Sequence, residues 1–181
     1  MLARTKNIIP KEARKLVYSA LVECHLRYAC LIWLNNISES LKSKIFNLQK
    51  RALRMVANSK FNEHIEPICS KLNILKLEDI LKVTTGKMLK KLQMGTTPLA
   101  MQEIFVFKNV RGAVNECNVG IFVRKNSTTL RKITMVWDEC GKVITDCSVN
   151  NLNKKLSKYF NDKYYKKCDR SVCYVCARGK N

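Results

Sequence analysis

Acidic side chains are scarce in this chain: 14 Asp and Glu stand against 34 Lys and Arg, for a formal charge of +20. Catalytic carboxylate clusters therefore have little to be built from. Glu78 and Asp79 are neighbours in a helical stretch, cannot both face one site, and read as charges in a helix's first turn. Asp138-Glu139 and Asp146 are isolated. Histidine is scarcer still, with His25 inside the first helical stretch and His64 in a turn, neither at a catalytic spacing from a carboxylate. The six glycines are dispersed, which excludes a glycine-rich phosphate loop. No apolar run approaches the roughly 18 residues of a membrane-spanning helix. The amino terminus lacks a compact apolar segment with a small-residue cleavage site, so the expected location is intracellular, nuclear or cytoplasmic.

Cysteine is not scarce, but its nine copies are an odd number and six are scattered singly. Without a secretion signal, Cys24, Cys30 and Cys69 read as small buried hydrophobes in a reducing compartment. Near the carboxyl end, Cys168, Cys173 and Cys176 stand together, the last two as a CxxC pair that can bite a tetrahedral ion. A closed zinc site needs four ligands, and the fourth would have to be Cys140, Cys147, a distant histidine or another chain. The expectation is no resident cofactor and substoichiometric zinc, with the three thiols reactive or incidental on a basic tail.

What the chain does have is a globular composition, 46% hydrophobic and 27% charged over 181 residues, enough for one domain or two small ones. Its positive charge sits at the ends: residues 1–60 carry +9 and residues 151–181 carry +7. Two basic ends around a nearly neutral middle suit a polyanion, with nucleic acid ahead of an anionic membrane surface.

The stretch with the strongest signal is 38–57. Leu41, Ile45, Leu48, Ala52 and Met55/Val56 recur at helical steps, predicting an inward face, and Ser38 is placed to cap the helix. Lys50, Arg51 and Arg54 line another ridge, with no carboxylate between Lys42 and Arg54. One reading is a solvated helix face; the other is a helix that packs with one side and follows phosphates with the other.

Before it, a periodic run from Pro10 predicts a helix ending near Trp33–Asn36. After it, Asn58 to Pro67 reads as a turn, with Pro67 opening a short helix over Ile68, Cys69 and Leu72. Leu77 to Leu92 reads as a long helix weakened by Gly86 and closed by Thr96-Thr97-Pro98, with Lys87, Lys90 and Lys91 as a second, exposed basic row. Leu99 to Phe107 suits a short helix running into an extended stretch. From Lys108 to Val149 no long helical period stands out, and Val119–Arg124 and Ile133–Trp137 are the best strand candidates. Ser148 then caps an amphipathic helix over Leu152, Leu156 and Tyr159/Phe160, with Lys154, Lys155 and Lys158 on its other side.

The segments LVYSALVECHLRYACLIW (16–33), LQKRALRMV (48–56), HIEPICSKLNILKLEDI (64–80) and the late VWDE…LNKKLSKYF (136–160) occur in that order. As a set they resemble the C-terminal part of non-LTR retrotransposon reverse transcriptases, the jockey-like RNA-directed DNA polymerases. In that family L-x-x-P-x-L-x-Y-G…W is followed by LQ[KR]-x-A-[IL]-R. Cys24 and Ala29 stand here where the family has Pro and Gly, so the first helix is expected to run on unbroken. Val110-Arg111, Ile133-Thr134 and Cys140-Gly141 also replace family pairs, while Trp137 remains. The family's palm holds its catalytic metals with an Ala-Asp-Asp motif, and this sequence has no Asp-Asp pair.

The resemblance implies a thumb-like region and its extension without fingers or palm, not an enzyme by itself, gripping an RNA–DNA or DNA duplex by its backbone. A fingers–palm fragment acting in trans is then a possible partner. The expected fold is mainly α: a three-helix thumb-like bundle at 8–97, an irregular mixed extension with short strands at 98–147, and a basic amphipathic helix with a Cys-containing tail at 148–181. The alternative from a different class is a non-enzymatic host interaction protein or zinc-dependent adaptor using the C-terminal cysteines.

Overall fold

A computed structural model describes residues 8–109, 119–123 and 127–167, and these are mainly helical. Cys168, Cys173 and Cys176 lie outside them. The chain divides into two compact units, one made of Met1–Ile80 with Tyr159–Asn181 and the other of Leu81–Lys158.

The first unit opens with α1 (Lys11–Tyr18), a π-helical turn (Ser19–Glu23) and α2 (Cys24–Arg27). Contrary to the unbroken helix expected, the chain then turns: Ala29 adopts φ 46° and ψ 27°, and α3 (Cys30–Asn36) starts in a new direction. Trp33 locks the break by donating its Nε1–H to the Tyr28 carbonyl at 2.7 Å. Alanine occupies this left-handed corner under strain. Of the three early cysteines, Cys30 and Cys69 are buried as expected, but Cys24 is exposed.

Helix α4 (Glu39–Ala57) begins where Ser38 accepts the Leu41 amide proton at 3.3 Å and ends at Asn58 in the left-handed conformation. Its inward face coincides only in part with the ridge that apolar counting selects: Ala52 and Val56 are buried as expected, and Ile45 and Met55 are half-buried. Leu48 is 63% exposed and Leu41 is also exposed, whereas Gln49, Ala52, Leu53 and Val56 are buried. These four also follow helical steps, but the polar Gln49 hides the pattern from a hydrophobic count. Tyr18, Leu53, Val56, Ile65, Ile68 and Leu72 form the core of this unit.

Helix α5 (Ile65–Leu72) starts two residues before Pro67, so the proline sits in its first turn without opening it. Helix α6 (Leu77–Gln93) follows closely the expected span. Gln49 receives its first residue: its side-chain oxygen accepts the Leu77 N–H at 2.9 Å, and its amide nitrogen donates to the Leu75 carbonyl and the Tyr18 hydroxyl. Burial pushes the Tyr18 phenol above its ordinary range, against the opposing effect of that hydrogen bond.

In the second unit, α7 (Leu99–Ile104) runs directly into β1 (Phe105–Asn109), which pairs antiparallel with β2 (Val119–Val123), Phe107 opposite Ile121. The strand expected at Ile133–Trp137 is instead the middle of α8 (Thr128–Thr145), kinked at Cys140 (φ −137°). Ile133, Val136, Trp137, Cys140 and Ile144 are buried at helical steps, so the β-branched residues that suggested a strand are chosen for packing. Trp137 meets Phe107 edge to face at 5.4 Å between centroids. Helix α9 (Val149–Lys167), which belongs to this unit only as far as Lys158, buries Leu152 and Leu156 as expected. A Cβ at Gly86 of α6 would lie 2.8 Å from a Leu156 methyl, so the helix-weakening glycine is a packing contact.

Candidate nucleic-acid interface

The outer side of α4 is cationic because the sequence carries no Asp or Glu between Glu39 and Glu63. Arg51 is exposed there, as is Lys44 seven residues earlier on the same face. Sequence reading passed over Lys44 because it stands apart from the Lys50–Arg51–Arg54 group. Its signal was the same seven-residue spacing. Leu41 and Leu48 alternate with these two cations along the exposed face.

The three predicted α4 cations differ in their surroundings. Arg51 is exposed. Lys50 is half-buried, its ammonium 4.2 Å from the centroid of the Phe46 ring, where cation–π attraction holds it near the surface. Arg54 is spent on structure: its Nε and Nη2 donate to the Glu63 carbonyl at 3.2 and 2.9 Å, clamping the turn after α4. Its guanidinium carbon lies 5.7 Å from the centroid of the Phe61 ring. Inside the unit, Arg14 donates to the Met55 carbonyl near the carboxyl end of α4, where a cation is favoured.

The other predicted cations belong to the second unit. Lys91 is exposed, but Lys90 is half-buried and donates to the Thr145 carbonyl at the end of α8 at 3.0 Å, correcting the expectation of an exposed row. Lys87 is half-buried as well. Lys154, Lys155 and Lys158 are all exposed along α9.

One carboxylate is strongly biased. His64, expected to lack a carboxylate at useful spacing, has its Nδ1 2.9 Å from Glu66, whose other oxygen accepts from Lys76 at 2.8 Å. Burial alone would raise the Glu66 pKa; the bonds from Lys76 and His64 outweigh it and hold the carboxyl at about 2. Cys69, fully buried nearby in sequence, has its thiol pushed up to about 12 by burial, which keeps it protonated and unreactive.

Among the described residues no three His, Cys, Asp or Glu side chains gather in a way that could hold a metal ion, and no helix is long and apolar enough to cross a membrane. No family model, curated protein or solved structure matches the chain.

Proposed function

We propose that this chain binds nucleic acid through its backbone, as a thumb-like fragment of a retrotransposon RNA-directed DNA polymerase that does not itself polymerise. The observation that carries the reading is the unneutralised outer face of α4, where Lys44 and Arg51 project from a helix whose other side is anchored in the core. Such a face attracts phosphates and releases their condensed counterions without reading sequence.

Two features support the resemblance beyond charge. The left-handed corner falls at Ala29, where the family motif has glycine. The glutamine of the LQKRALR segment is the buried Gln49 that joins α4 to the start of α6, a role that calls for that side chain rather than a generic polar one. Neither feature bears on chemistry at a metal. Polymerisation by two metal ions needs carboxylates held together at the ions, and no Asp-Asp pair exists to supply the family's motif.

The test is the salt dependence of duplex binding by the whole chain. Changing Lys44, Lys50 and Arg51 to Ala is expected to weaken binding to all sequences alike and to flatten the log–log salt slope by about two to three units, at roughly 0.7 to 0.9 per phosphate contact. Arg54 is left in place because it holds the turn. A variant with Lys11, Lys71 and Lys132 changed to Ala is the charge-matched control. Equal losses in the two variants would overturn the α4 interface. Template-directed nucleotide incorporation by the purified chain would overturn the non-catalytic reading.

A further inference from the structure

Phe61 follows α4 in the turn that Arg54 clamps, and it is 72% exposed. Its position is held rather than loose. Ser59 donates its amide to the Arg54 carbonyl at 3.0 Å, and Glu63 donates to the Lys60 carbonyl at 3.1 Å. The Arg54 guanidinium, fixed by its two bonds to the Glu63 carbonyl, approaches the ring at 5.7 Å. The ring is thus presented to water with a cation beside it, and exposed Lys60 is its neighbour in the chain.

Folding alone gains little from an aromatic ring left in water. Aromatic rings beside cations do have a use at a nucleic-acid surface: the ring stacks on a base of any sequence while the cations meet the flanking phosphates. Duplex bases are already stacked on one another, so the ligand must offer an unpaired one.

We propose that Phe61, backed by Arg54, is a stacking platform for an unpaired nucleobase, so that the α4 surface takes a duplex with a single-stranded extension in preference to a blunt one. Exposed Arg51 on α4 and Lys60 beside Phe61 in the chain are the cations that would meet the phosphates. This proposal rests on the nucleic-acid reading of α4 and adds the structure of the ligand to it. DNA and RNA extensions offer the same stacking chemistry.

The experiment measures binding by fluorescence anisotropy to a blunt duplex and to the same duplex with a single-stranded extension, made once in DNA and once in RNA. The wild-type chain is expected to bind an extended probe more tightly, and preference for the DNA or the RNA version names the source. Phe61→Leu keeps apolar bulk beside Arg54 but removes the π face; it is expected to lose about fivefold to a hundredfold on the extended probe, the range for one stacked base, with blunt-duplex affinity unchanged. Phe61→Trp should keep the preference, and its added fluorescence should be quenched by the extended probe alone. Salt-sensitive binding of both probes with no effect of Phe61→Leu, or an equal loss on both, overturns the platform and leaves the α4 interface standing. Failure of the wild type to bind either probe removes both.

Discussion

The side-chain oxygen of Gln49, in the middle of α4, accepts the backbone N–H of Leu77, the first residue of α6, at 2.9 Å. That amide has no partner within its own helix, as is true of the first N–H groups of every α-helix. Gln49 also donates through its amide nitrogen to Leu75 and Tyr18, so its polar atoms are satisfied while only 1% of the residue is exposed. One side chain therefore joins α1, α4 and the entry to α6.

Replacing it should be costly for that reason. Gln49→Leu keeps the approximate bulk but strands a buried N–H, a carbonyl and a hydroxyl. Each unsatisfied group costs about 1–3 kcal/mol, so a loss of roughly 3 kcal/mol or more is expected. Urea denaturation of the purified variant measures it. A loss below about 1 kcal/mol, the value of one ordinary hydrogen bond, would mean that the network is dispensable.

At the corner between α2 and α3 the opposite sign is expected. Alanine at φ 46° carries a penalty that glycine does not, and Trp33 maintains the turn through the Tyr28 carbonyl. Ala29→Gly should therefore stabilise by about 1 kcal/mol, reduced somewhat by the greater entropy of glycine in the unfolded chain. Ala29→Val should destabilise, since a β-branched residue suits that conformation least. Thermal melting of the two variants against wild type checks the order Gly, Ala, Val.

Glu66 sets an acid limit. Its carboxyl titrates at about 2 in the fold against an ordinary value of 4.5. A lowered folded value means that the unfolded chain takes up the proton first. The contribution is therefore present above pH 4.5 and drains away as pH falls toward 2. Glu66→Gln should lose stability near neutrality and show a flatter decline across that acid window. Equilibrium unfolding followed by circular dichroism at stepped pH distinguishes the two curves; parallel curves would remove Glu66 as the source.

Lys90 and Lys91 are adjacent in sequence and are expected to part in behaviour. Lys90 donates to the Thr145 carbonyl at the carboxyl end of α8, where the helix dipole favours a cation, while Lys91 is exposed. Lys90→Ala should cost about 1 kcal/mol of stability and Lys91→Ala close to none. Equal effects in urea would show that the Thr145 contact contributes nothing.

Local chemistry was legible in the sequence where a single segment settles it. Ser38 and the run behind it mark the start and span of α4, because capping and helical period are properties of neighbours in the chain. Leu77 to Leu92, the helix-to-strand passage at Leu99–Phe107, and the buried stripe of Leu152 and Leu156 were readable for the same reason. The cationic outer side of α4 was also visible as a run without acids.

Tertiary structure alone decided that the inward face of α4 keeps Ala52 and Val56 but turns Leu41 and Leu48 outward in favour of Gln49 and Leu53. A buried glutamine counts against burial until the Leu77 amide and Leu75 carbonyl that it satisfies are placed beside it. It likewise made Ile133–Trp137 helical, since β-branched residues carry a weak preference that packing in the core overrides. The corner at Ala29 has no signal in an alanine; the strain is held by Trp33 reaching back to a carbonyl. Arg54 and Lys90 look like free cations in a string of letters, and they became structural through backbone carbonyls that only the folded chain brings within reach.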